Sequence, residues 1–469
     1  MCEDTEDLLE LSKVKELEKN MSLDNILQRF RKPFNERKSF SLDKIKFLLN
    51  ILDNPQNNFK SIHIAGTNGK GSVSSMIHSS LCELGFKTGL FTSPHLERFT
   101  ERIKINNDEI LENEFLYILN EIILPIIDKL DLDKFDLPTE FEIITLITFY
   151  YFSEKKVDIA VIEAGLGGRY DATNILEDVI LSIITNISFD HVDRLGKDIK
   201  SITKHKVGII KPNTHIVTSS FNSEKDIFFE EIENIKSDKH YLHFINPDIL
   251  ISSSIESNKR KYIINDKESI FYNIPFYSKF VAKYQKENIC LVLKSLELLY
   301  EKLNYQDKSD YINKCILGLE KATWAGRFEL FKVNGFDLIL DGAHNDNGMK
   351  SFTESLKELN KKSIIMIFAC NKDKDYKNMI DSISTVSETI ILTKSHVEIK
   401  AKEPKEISEY LNSINKDHKI VNDYRQTIDF ACKISLDRNY NKKDILICIC
   451  GSLYLIGGIR EQINSFKDN

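Results

Sequence analysis

The segment Gly66-Thr-Asn-Gly-Lys-Gly-Ser72 contains the residue types that point most directly to chemistry. Its glycines allow the backbone to approach a ligand closely, and backbone N–H groups at the start of a helix bind anions. Lys70 adds a cation suited to nucleotide phosphates. The segment departs from the standard phosphate-loop pattern, because Ile64 stands in place of the first glycine and Gly71 in place of the hydroxyl residue. The sequence predicts a variant phosphate loop, and a tight strand-to-helix turn with an incidental lysine is the alternative.

A second group of candidate side chains stands where apolar runs of strand length end. Glu163 follows the run 157–162. Phosphoryl transfer from ATP requires Mg²⁺, and a carboxylate at a strand end is a common anchor for that ion. Glu163 is therefore predicted to anchor magnesium, with a capping or ion-paired glutamate as the alternative. On the residues alone, His191 is better explained as a structural histidine, since imidazole is an uncommon ligand for Mg²⁺.

The elements that must position these residues form two series. From Lys60 onward, short apolar runs alternate with helical patterns, which is typical of a parallel sheet with helices on both faces. A second alternating series begins after Trp324. Period-2 patches within residues 223–273 predict an antiparallel excursion between the two series. The predicted strands are 61–65, 88–92, 157–162 and 179–184 in the first series and 338–340, 364–368, 389–392 and 445–449 in the second.

These patterns predict an α/β fold with two domains. A chain of 469 residues is too long for one hydrophobic core. We expect a P-loop-containing, mostly parallel, doubly wound N-terminal domain at 21–323 and a smaller Rossmann-like α/β C-terminal domain at 324–469. Residues 1–20 form an acidic N-terminal extension. Polar residues just beyond the strands are functional candidates, because open parallel sheets bind ligands at the carboxyl ends of their strands.

The composition excludes several classes of partner. The chain has 64 Lys+Arg and 71 Asp+Glu, a formal net charge of −7, which argues against a general nucleic-acid binder. No apolar run approaches the roughly 20 residues that span a bilayer, and the acidic N-terminus lacks the pattern of a secretory or transit signal. The eight cysteines form no CxxC pair, which favours reduced thiols. We therefore expect a cytoplasmic protein with no nucleic-acid or membrane partner.

The motifs together resemble a known enzyme family. The phosphate loop, the Glu163-Ala-Gly-Leu-Gly-Gly-Arg-Tyr-Asp-Ala-Thr-Asn174 segment and Asp341-Gly-Ala-His-Asn345 are similar, in order and spacing, to motifs of the folylpolyglutamate synthase and dihydrofolate synthase family, a group of Mur-type amide ligases. The resemblance covers nearly the whole chain from Met21. It implies a ligase that uses ATP and Mg²⁺, with two ions expected, to join L-glutamate to a folate or dihydropteroate carboxylate through an acyl phosphate.

The resemblance also implies roles for individual residues. Catalytic roles are implied for Lys70, Lys206, Arg327 and His344. The implied ATP-binding residues are Thr67, Asn68, Gly69, Lys70, Gly71, Ser72, Asn288, Arg327 and Asp341. The implied metal ligands are Ser93, Glu163, His191 and Lys206, the last carbamylated by CO₂. His205 stands where the family usually has Glu, and Tyr284 replaces the common His before Gln285.

The two substrates are expected on opposite sides of the reaction centre. By resemblance, the pterin-bearing acceptor contacts Thr139, Glu140, Phe141, Glu142, Tyr170, Asp171 and Ala172, while His344 and Ser452 face glutamate. From the residues alone, Thr139 and Glu142 form a capping box, and Ser452 is an N-cap residue. Both explanations remain open at this point.

Two other functions are weighed against this one. Another Mur-type ligase, acting on cell-wall precursors, generally carries a further nucleotide-sugar domain, whereas 65 residues precede Gly66 here. A P-loop nucleotide switch would have no evident use for the second-domain residues Arg327, Asp341 and His344. Within the favoured family, the sequence does not separate dihydrofolate synthase, folylpolyglutamate synthase and a bifunctional enzyme. A monomer is expected.

Overall fold

The computed structural model describes residue 30 and residues 41–238 and 241–467. The predicted acidic extension at 1–20 lies outside this part of the chain. The described residues form two α/β units, each built on its own sheet, with a small antiparallel sheet between them in sequence. Within the same ranges, no helix combines the length and the apolar character that crossing a membrane requires.

The first unit contains an eight-stranded sheet with the order β4-β3-β2-β5-β1-β6-β7-β8. Strands β2, β5, β1, β6, β7 and β8 run parallel, and β3 and β4 add an antiparallel edge. The strands are β1 (Lys60–Ala65), β2 (Thr88–Phe91), β3 (Ile103–Ile105), β4 (Asp108–Glu109), β5 (Ile159–Glu163), β6 (Val179–Ile184), β7 (His215–Ser219) and β8 (Leu242–Ile245). The four strands predicted in this series are confirmed.

Helices cover both faces of this sheet, as the burial of its central strands on both sides requires. The helices are α1 (Asp43–Ile51), α2 (Lys70–Glu83), α3 (Glu112–Tyr117), α4 (Leu124–Ile127), α5 (Glu140–Glu154), α6 (Val192–Leu195), α7 (Ile199–Val207), α8 (Lys225–Asn234), α9 (Gln285–Lys302) and α10 (Lys308–Lys321), with a π-helical segment at Ile118–Ile123. One core contains Leu90 with apolar side chains of α2, α9 and α10. The other contains Phe91 with the apolar face of α5. Adjacent residues of β2 therefore point to opposite cores.

The predicted antiparallel excursion is confirmed over part of its length. Strands β9 (Leu250–Glu256), β10 (Lys259–Ile264) and β11 (Pro275–Ser278) form a three-stranded antiparallel sheet. The earlier part was predicted wrongly, because residues 225–234 form α8 and β8 joins the large parallel sheet. Ile227, Phe228 and Ile232 recur at helical spacing and pack against β7 and the end of α7, so the helical period prevails there.

The second unit contains a six-stranded sheet with the order β12-β13-β17-β14-β15-β16. Only β12 is antiparallel to its neighbour within this sheet, and the four strands predicted in this series are confirmed. The strands are β12 (Glu329–Val333), β13 (Phe336–Leu340), β14 (Ser363–Phe368), β15 (Thr389–Leu392), β16 (His418–Ile420) and β17 (Ile445–Cys450). The helices are α11 (Asp346–Lys357), α12 (Tyr376–Ser384), α13 (Pro404–Ser413), α14 (Thr427–Leu436) and α15 (Leu453–Lys467). The change of sheet falls between α10 and β12, an interval that contains the predicted boundary near Thr323.

Candidate active site

A cavity of about 860 Å³ lies between the two units, at the carboxyl ends of strands from both sheets. The first unit contributes the loop after β1, the residues after β5 and the segment after β6, and the second contributes residues that follow β13, β14 and β17. This is the position at which parallel α/β sheets bind ligands. Most of the predicted site residues line this cavity, namely Thr67, Asn68, Gly69, Lys70, Gly71, Ser72, Ser93, Glu163, His191, Lys206, Asn288, Arg327, Asp341, His344 and Ser452.

The loop from Gly66 to Gly69 is held in place by the segment that follows β6. The Thr67 N–H donates to the Asn186 carbonyl at 2.7 Å, and the Thr67 hydroxyl is 3.0 Å from both the carbonyl and the N–H of Ser188. Gly66 has φ +146°, and a Cβ there would lie 1.8 Å from Thr185 Oγ1. The loop can therefore pass over the end of β6 only because a glycine occupies this position.

Lys70 and Glu163 face one another at the floor of the cavity. Lys70 Nζ donates to the Gly66 and Thr67 carbonyls at 3.2 Å and lies 3.9 Å from Glu163 Oε1. Glu163 is 3% exposed. Burial raises the pKa of its carboxyl to about 7, against the opposing charges of Lys70 and Arg327. The other oxygen, Oε2, is buried without a hydrogen-bond partner in the described chain, which is the state expected of an oxygen that awaits a ligand.

The other three predicted metal ligands line the same cavity as Glu163. The backbone of Ser93 is within hydrogen-bonding reach of the Glu163 carboxylate. The His191 side chain is 40% exposed, and partial loss of water contact lowers its pKa, which favours the neutral imidazole that binds metals. Lys206 is 3% exposed, and its Nζ donates to the Gly66 carbonyl at 2.7 Å. Its burial, reinforced by Lys70, lowers the pKa of that amine well below its usual value.

These residues fit a magnesium ion that is shared with a nucleotide. Across the described ranges, no three His, Cys, Asp or Glu side chains converge as a complete metal cage. Mg²⁺ does not need one, because it usually keeps several waters and binds one or two carboxylates together with substrate phosphates. The unpartnered Glu163 Oε2, beside the phosphate loop, supplies one such carboxylate oxygen.

On the predicted nucleotide side of the cavity, a short hydrogen bond from Tyr284 to Asp341 joins the two units. Asp341, at the end of β13, accepts from the Tyr284 hydroxyl at 2.6 Å and from the N–H groups of Phe328 and Ala343. Burial raises the pKa of its carboxyl, and the bond from Tyr284 opposes that rise. Tyr284, which replaces the histidine usual in the family, thus contacts Asp341, one of the predicted ATP-binding residues. This substitution keeps a hydrogen-bond donor at that position.

A second set of contacts links α9 to the phosphate loop. Asn288 Nδ2 donates to Gln285 Oε1 at 2.8 Å, and Gln285 Nε2 donates to Ser72 Oγ at 3.2 Å. A Cβ on Gly69 would lie 2.3 Å from Asn288 Oδ1. Arg327 extends from the segment between the units, where its Nη1 donates to the Gly326 carbonyl at 3.1 Å. The nucleotide-binding residues predicted from four separate motifs therefore line one cavity, on the facing sides that the two units provide.

The predicted glutamate side lies on the second unit. His344 Nδ1 is 2.8 Å from the Gly342 carbonyl, and burial lowers the pKa of this imidazole. Ser452 follows β17, with its Oγ 3.5 Å from Asn371 Oδ1. Lys374 projects into the same region and is paired with Asp190 at 2.6 Å.

None of the predicted acceptor residues lines the cavity directly. Thr139 and Glu142 form the predicted capping box of α5. The Phe141 ring stacks on Phe91, with centroids 5.8 Å apart, and packs against Gly165. Gly165 lines the cavity, so Phe141 supports the lining from behind, and Thr139, Glu140 and Glu142 are not among the lining residues.

The turn after Gly168 holds the other acceptor candidates. Tyr170 is 53% exposed, whereas Asp171 is buried, and burial raises the pKa of its carboxyl. The Asp171 oxygens accept from the Leu166 N–H at 2.8 Å and from the Thr173 N–H and hydroxyl. Ala172 is buried at the start of a short helical turn. Asp171 therefore braces the turn, and Tyr170 is the member that reaches solvent.

Sequence reasoning missed three residues of the site, namely Asp190, Asn345 and Lys374. Asp190 is the neighbour of His191, and Asn345 follows His344 in a motif that was recognised. Lys374 lies in a polar cluster just after β14. The rule that ligands bind at the carboxyl ends of strands could have nominated that cluster.

Comparisons with known proteins agree with this arrangement. The sequence models of the Mur ligase middle domain and of the Mur ligase glutamate ligase domain match residues 64–296 and 326–453. A dihydrofolate synthase/folylpolyglutamate synthase of Bacillus subtilis is 33% identical, over 90% of this chain and 94% of the relative. A probable dihydrofolate synthetase of Schizosaccharomyces pombe is 31% identical, over 89% and 96%.

Solved structures show the same relationship. A folylpolyglutamate synthase from Thermotoga maritima has a TM-score of 0.74 and 29% identity, covering 95% of this chain and 97% of that one. A folylpolyglutamate synthase from Mycobacterium tuberculosis, complexed with ADP and AMPPCP, has a TM-score of 0.78 and 25% identity, covering 93% and 98%. With the cavity, the phosphate loop and both domain matches in agreement, the chain belongs to the dihydrofolate synthase/folylpolyglutamate synthase family of Mur-type ligases.

Proposed function

We propose that this protein is an ATP-dependent ligase that joins L-glutamate to a folate or dihydropteroate carboxylate. One observation carries the proposal: the phosphate loop, the buried Glu163 and the second-unit residues Arg327 and Asp341 line a single cavity. A nucleotide switch would need the phosphate loop alone. A ligase also needs a second wall that faces the transferred phosphoryl group and presents the amine.

The reaction has two steps. An acceptor carboxylate oxygen attacks the γ-phosphorus of ATP, and the bond between that phosphorus and the β-phosphate oxygen breaks. ADP is the leaving group, and an acyl phosphate is the product. The glutamate amine then attacks the acyl carbon, loses a proton and expels phosphate, so that an amide forms. Lys70 and Arg327 approach this centre from opposite units, where their charges stabilise the anionic phosphoryl group in transfer.

The residues that would hold magnesium are Ser93, Glu163 and His191, and two ions are expected. When bound, magnesium neutralises phosphate charge and aligns the phosphoryl group for attack. Glu163 supports this assignment because its Oε2 is buried without a partner beside Lys70.

Lys206 would complete the metal site as a carbamate. Its amine would add to CO₂ and lose a proton, which converts a cation into a carboxylate-like ligand. Its burial beside Lys70 supports this step, because two ammonium groups near bound magnesium repel it. High-resolution mass spectrometry of the native protein under CO₂ should detect one carbamate that Lys206→Met removes.

For the substrates, we assign the acceptor to the side of Tyr170 and the glutamate to the side of His344 and Ser452. Closure of the two units around them would keep water from the acyl phosphate. Asp171, Ala172 and the stretch 139–142 would shape the acceptor side from behind.

We further propose a cytoplasmic monomer. The seven cysteines within the described residues are free, as expected in a reducing compartment. Light scattering of the purified protein should give the mass of one chain, 54.3 kDa, and a dimer mass would contradict this.

Product analysis tests the function directly. Purified protein is incubated with ATP, Mg²⁺, L-glutamate and either dihydropteroate or tetrahydrofolate, and the products are identified by mass. One added glutamate on dihydropteroate indicates dihydrofolate synthase, successive additions on tetrahydrofolate indicate folylpolyglutamate synthase, and both indicate a bifunctional enzyme. ADP release that needs neither acceptor nor glutamate but responds to a protein partner would support the nucleotide switch instead.

A further inference from the structure

Asp190 is a buried carboxylate of the first unit. It contacts side chains of the second unit across the cavity. It lies after β6 in the first unit, and its side chain is 9% exposed. Asp190 Oδ1 is 2.6 Å from Lys374 Nζ, and Oδ2 accepts from Asn345 Nδ2 at 3.0 Å. His344 Nε2 lies 3.7 Å from the same oxygen.

Asn345 connects this carboxylate to the phosphate loop. Its Oδ1 accepts from the Gly348 N–H at 2.8 Å, which caps the N-terminus of α11. Its Nδ2 is 3.1 Å from Asn68 Oδ1, and Asn68 Nδ2 donates back to Asn345 Oδ1 at 3.3 Å. One side chain therefore fixes a second-unit helix, the loop residue Asn68 and Asp190 at the same time.

The burial of this cluster favours a state in which its contacts are either all formed or all broken. Lys374 is only 10% exposed, so both charges have lost most of their water. Removing one member of a buried pair leaves the other uncompensated, which costs more than the loss of an exposed pair. If the second unit moved away from the phosphate loop, Asp190, Lys374 and Asn345 would all lose these partners together.

We propose that Asp190, Asn345 and Lys374 form an interdomain latch that positions the second unit against the phosphate loop. The proposal rests on the proposed function, because its effect on turnover requires the ligase reaction. The three side chains are positioning residues: they set the distance between the wall that bears Lys70 and the wall that bears Arg327. The latch acts beside the loop, unlike the ion pair Arg260–Glu358, which joins β10 to the end of α11 at 2.6 Å outside the cavity lining.

The test combines steady-state kinetics with solution scattering of the full chain. Asp190→Asn and Lys374→Met should each lower kcat by about tenfold or more, and the double variant should be no worse than the poorer single variant, since coupled residues are non-additive. Small-angle scattering with the non-hydrolysable analogue AMPPCP should give a larger radius of gyration for each variant than for the parent. Glu358→Gln is the matched control and should keep kcat within about twofold.

A further variant separates loss of the latch from a failure to fold. Asn345→Asp keeps an oxygen that caps α11 but replaces the amide donor with a carboxylate that faces Asp190. It should fold, bind AMPPCP and open the two units, because like charges repel.

Three results would overturn the latch. Multiplicative losses in the double variant would mean that Asp190 and Lys374 act independently. An unchanged radius of gyration in the variants would mean that the units stay docked without the cluster. A higher KM for glutamate in Lys374→Met but not in Asp190→Asn would make Lys374 a direct substrate contact. Absence of glutamylated product would reject the proposed function. The scattering experiment needs no acceptor, so it would still test the latch.

Discussion

The two walls of the cavity are built by different means. The wall of the first unit is centred on backbone, a glycine loop that turns over β6 and leads into α2, with the side chains of Lys70, Glu163 and Lys206 beside it. The wall of the second unit is made of side chains that follow separate strands, Asp341, Lys374 and Ser452. Backbone geometry is set by a short segment, whereas side chains from three strands converge only when the sheet forms. We therefore expect substitutions in the first wall to impair nucleotide binding, phosphoryl transfer or both, and substitution of Arg327 on the facing side to slow transfer without weakening nucleotide binding.

Lys70→Ala should give the largest effect. Loss of the cation beside the phosphates should lower kcat by about a hundredfold or more, since groups that stabilise developing anionic charge contribute on that scale. The melting temperature should stay close to that of the parent. Lys350→Ala, which removes an exposed lysine paired with Asp346 on α11, is the control. Near-normal turnover in Lys70→Ala would remove the phosphate loop from the mechanism.

Arg327→Lys tests the facing wall. A lysine keeps the charge but loses the planar fork that contacts two phosphoryl oxygens, so kcat should fall by about tenfold to a hundredfold with little change in ADP affinity. Single-turnover kinetics and ADP titration separate these quantities. Arg425→Lys, at an exposed pair with Asp423, should be silent. A loss of ADP affinity without loss of kcat would show that Arg327 acts on nucleotide binding rather than on transfer, contrary to the proposed difference between the two walls.

Gly69→Ala sharpens the role of the backbone. Gly69 has φ +91°, and an added Cβ would meet Asn288 Oδ1 at 2.3 Å. Gly85 has φ +93° with nothing within 4 Å of its Cβ position. Both alanine variants should lose about 1–2 kcal/mol of stability from the left-handed backbone. Only Gly69→Ala should also weaken ADP binding, by about tenfold, because it displaces the α9 contact from the loop. Equal ADP affinities in the two variants would show that this contact does not shape the site.

Thr139→Ala should give the smallest effect. Loss of the capping box should cost about 1 kcal/mol of unfolding free energy, as should Asp307→Ala at the N-cap of the remote helix α10. The KM for the acceptor should be unchanged, since Thr139 is not among the residues that line the cavity. An increased acceptor KM in Thr139→Ala alone would assign it a direct substrate contact.

Much of the fold and part of the site could be predicted from the sequence. The four strands predicted in each sheet, the phosphate loop and the capping box at Thr139 depend on residues close together in the chain, whereas β3, β4, β7, β8, β12 and β16 were not predicted. The segment 225–234 was misassigned because period-2 and helical patterns overlap in short apolar runs. Asp171 illustrates the limit at the site: its motif predicts a substrate contact, whereas both oxygens are engaged by the turn itself.

The sequence by itself determined the main strands of both sheets, and it placed glycines and Lys70 where a strand leads into a helix. Local periodicity and turn chemistry suffice for that. Only the tertiary structure decided that Asp190 meets Lys374, 184 residues away, and that Asn68 meets Asn345. Neither pair has a local pattern, because the contact exists only after two separate sheets have formed and their strand ends face one another across the cavity.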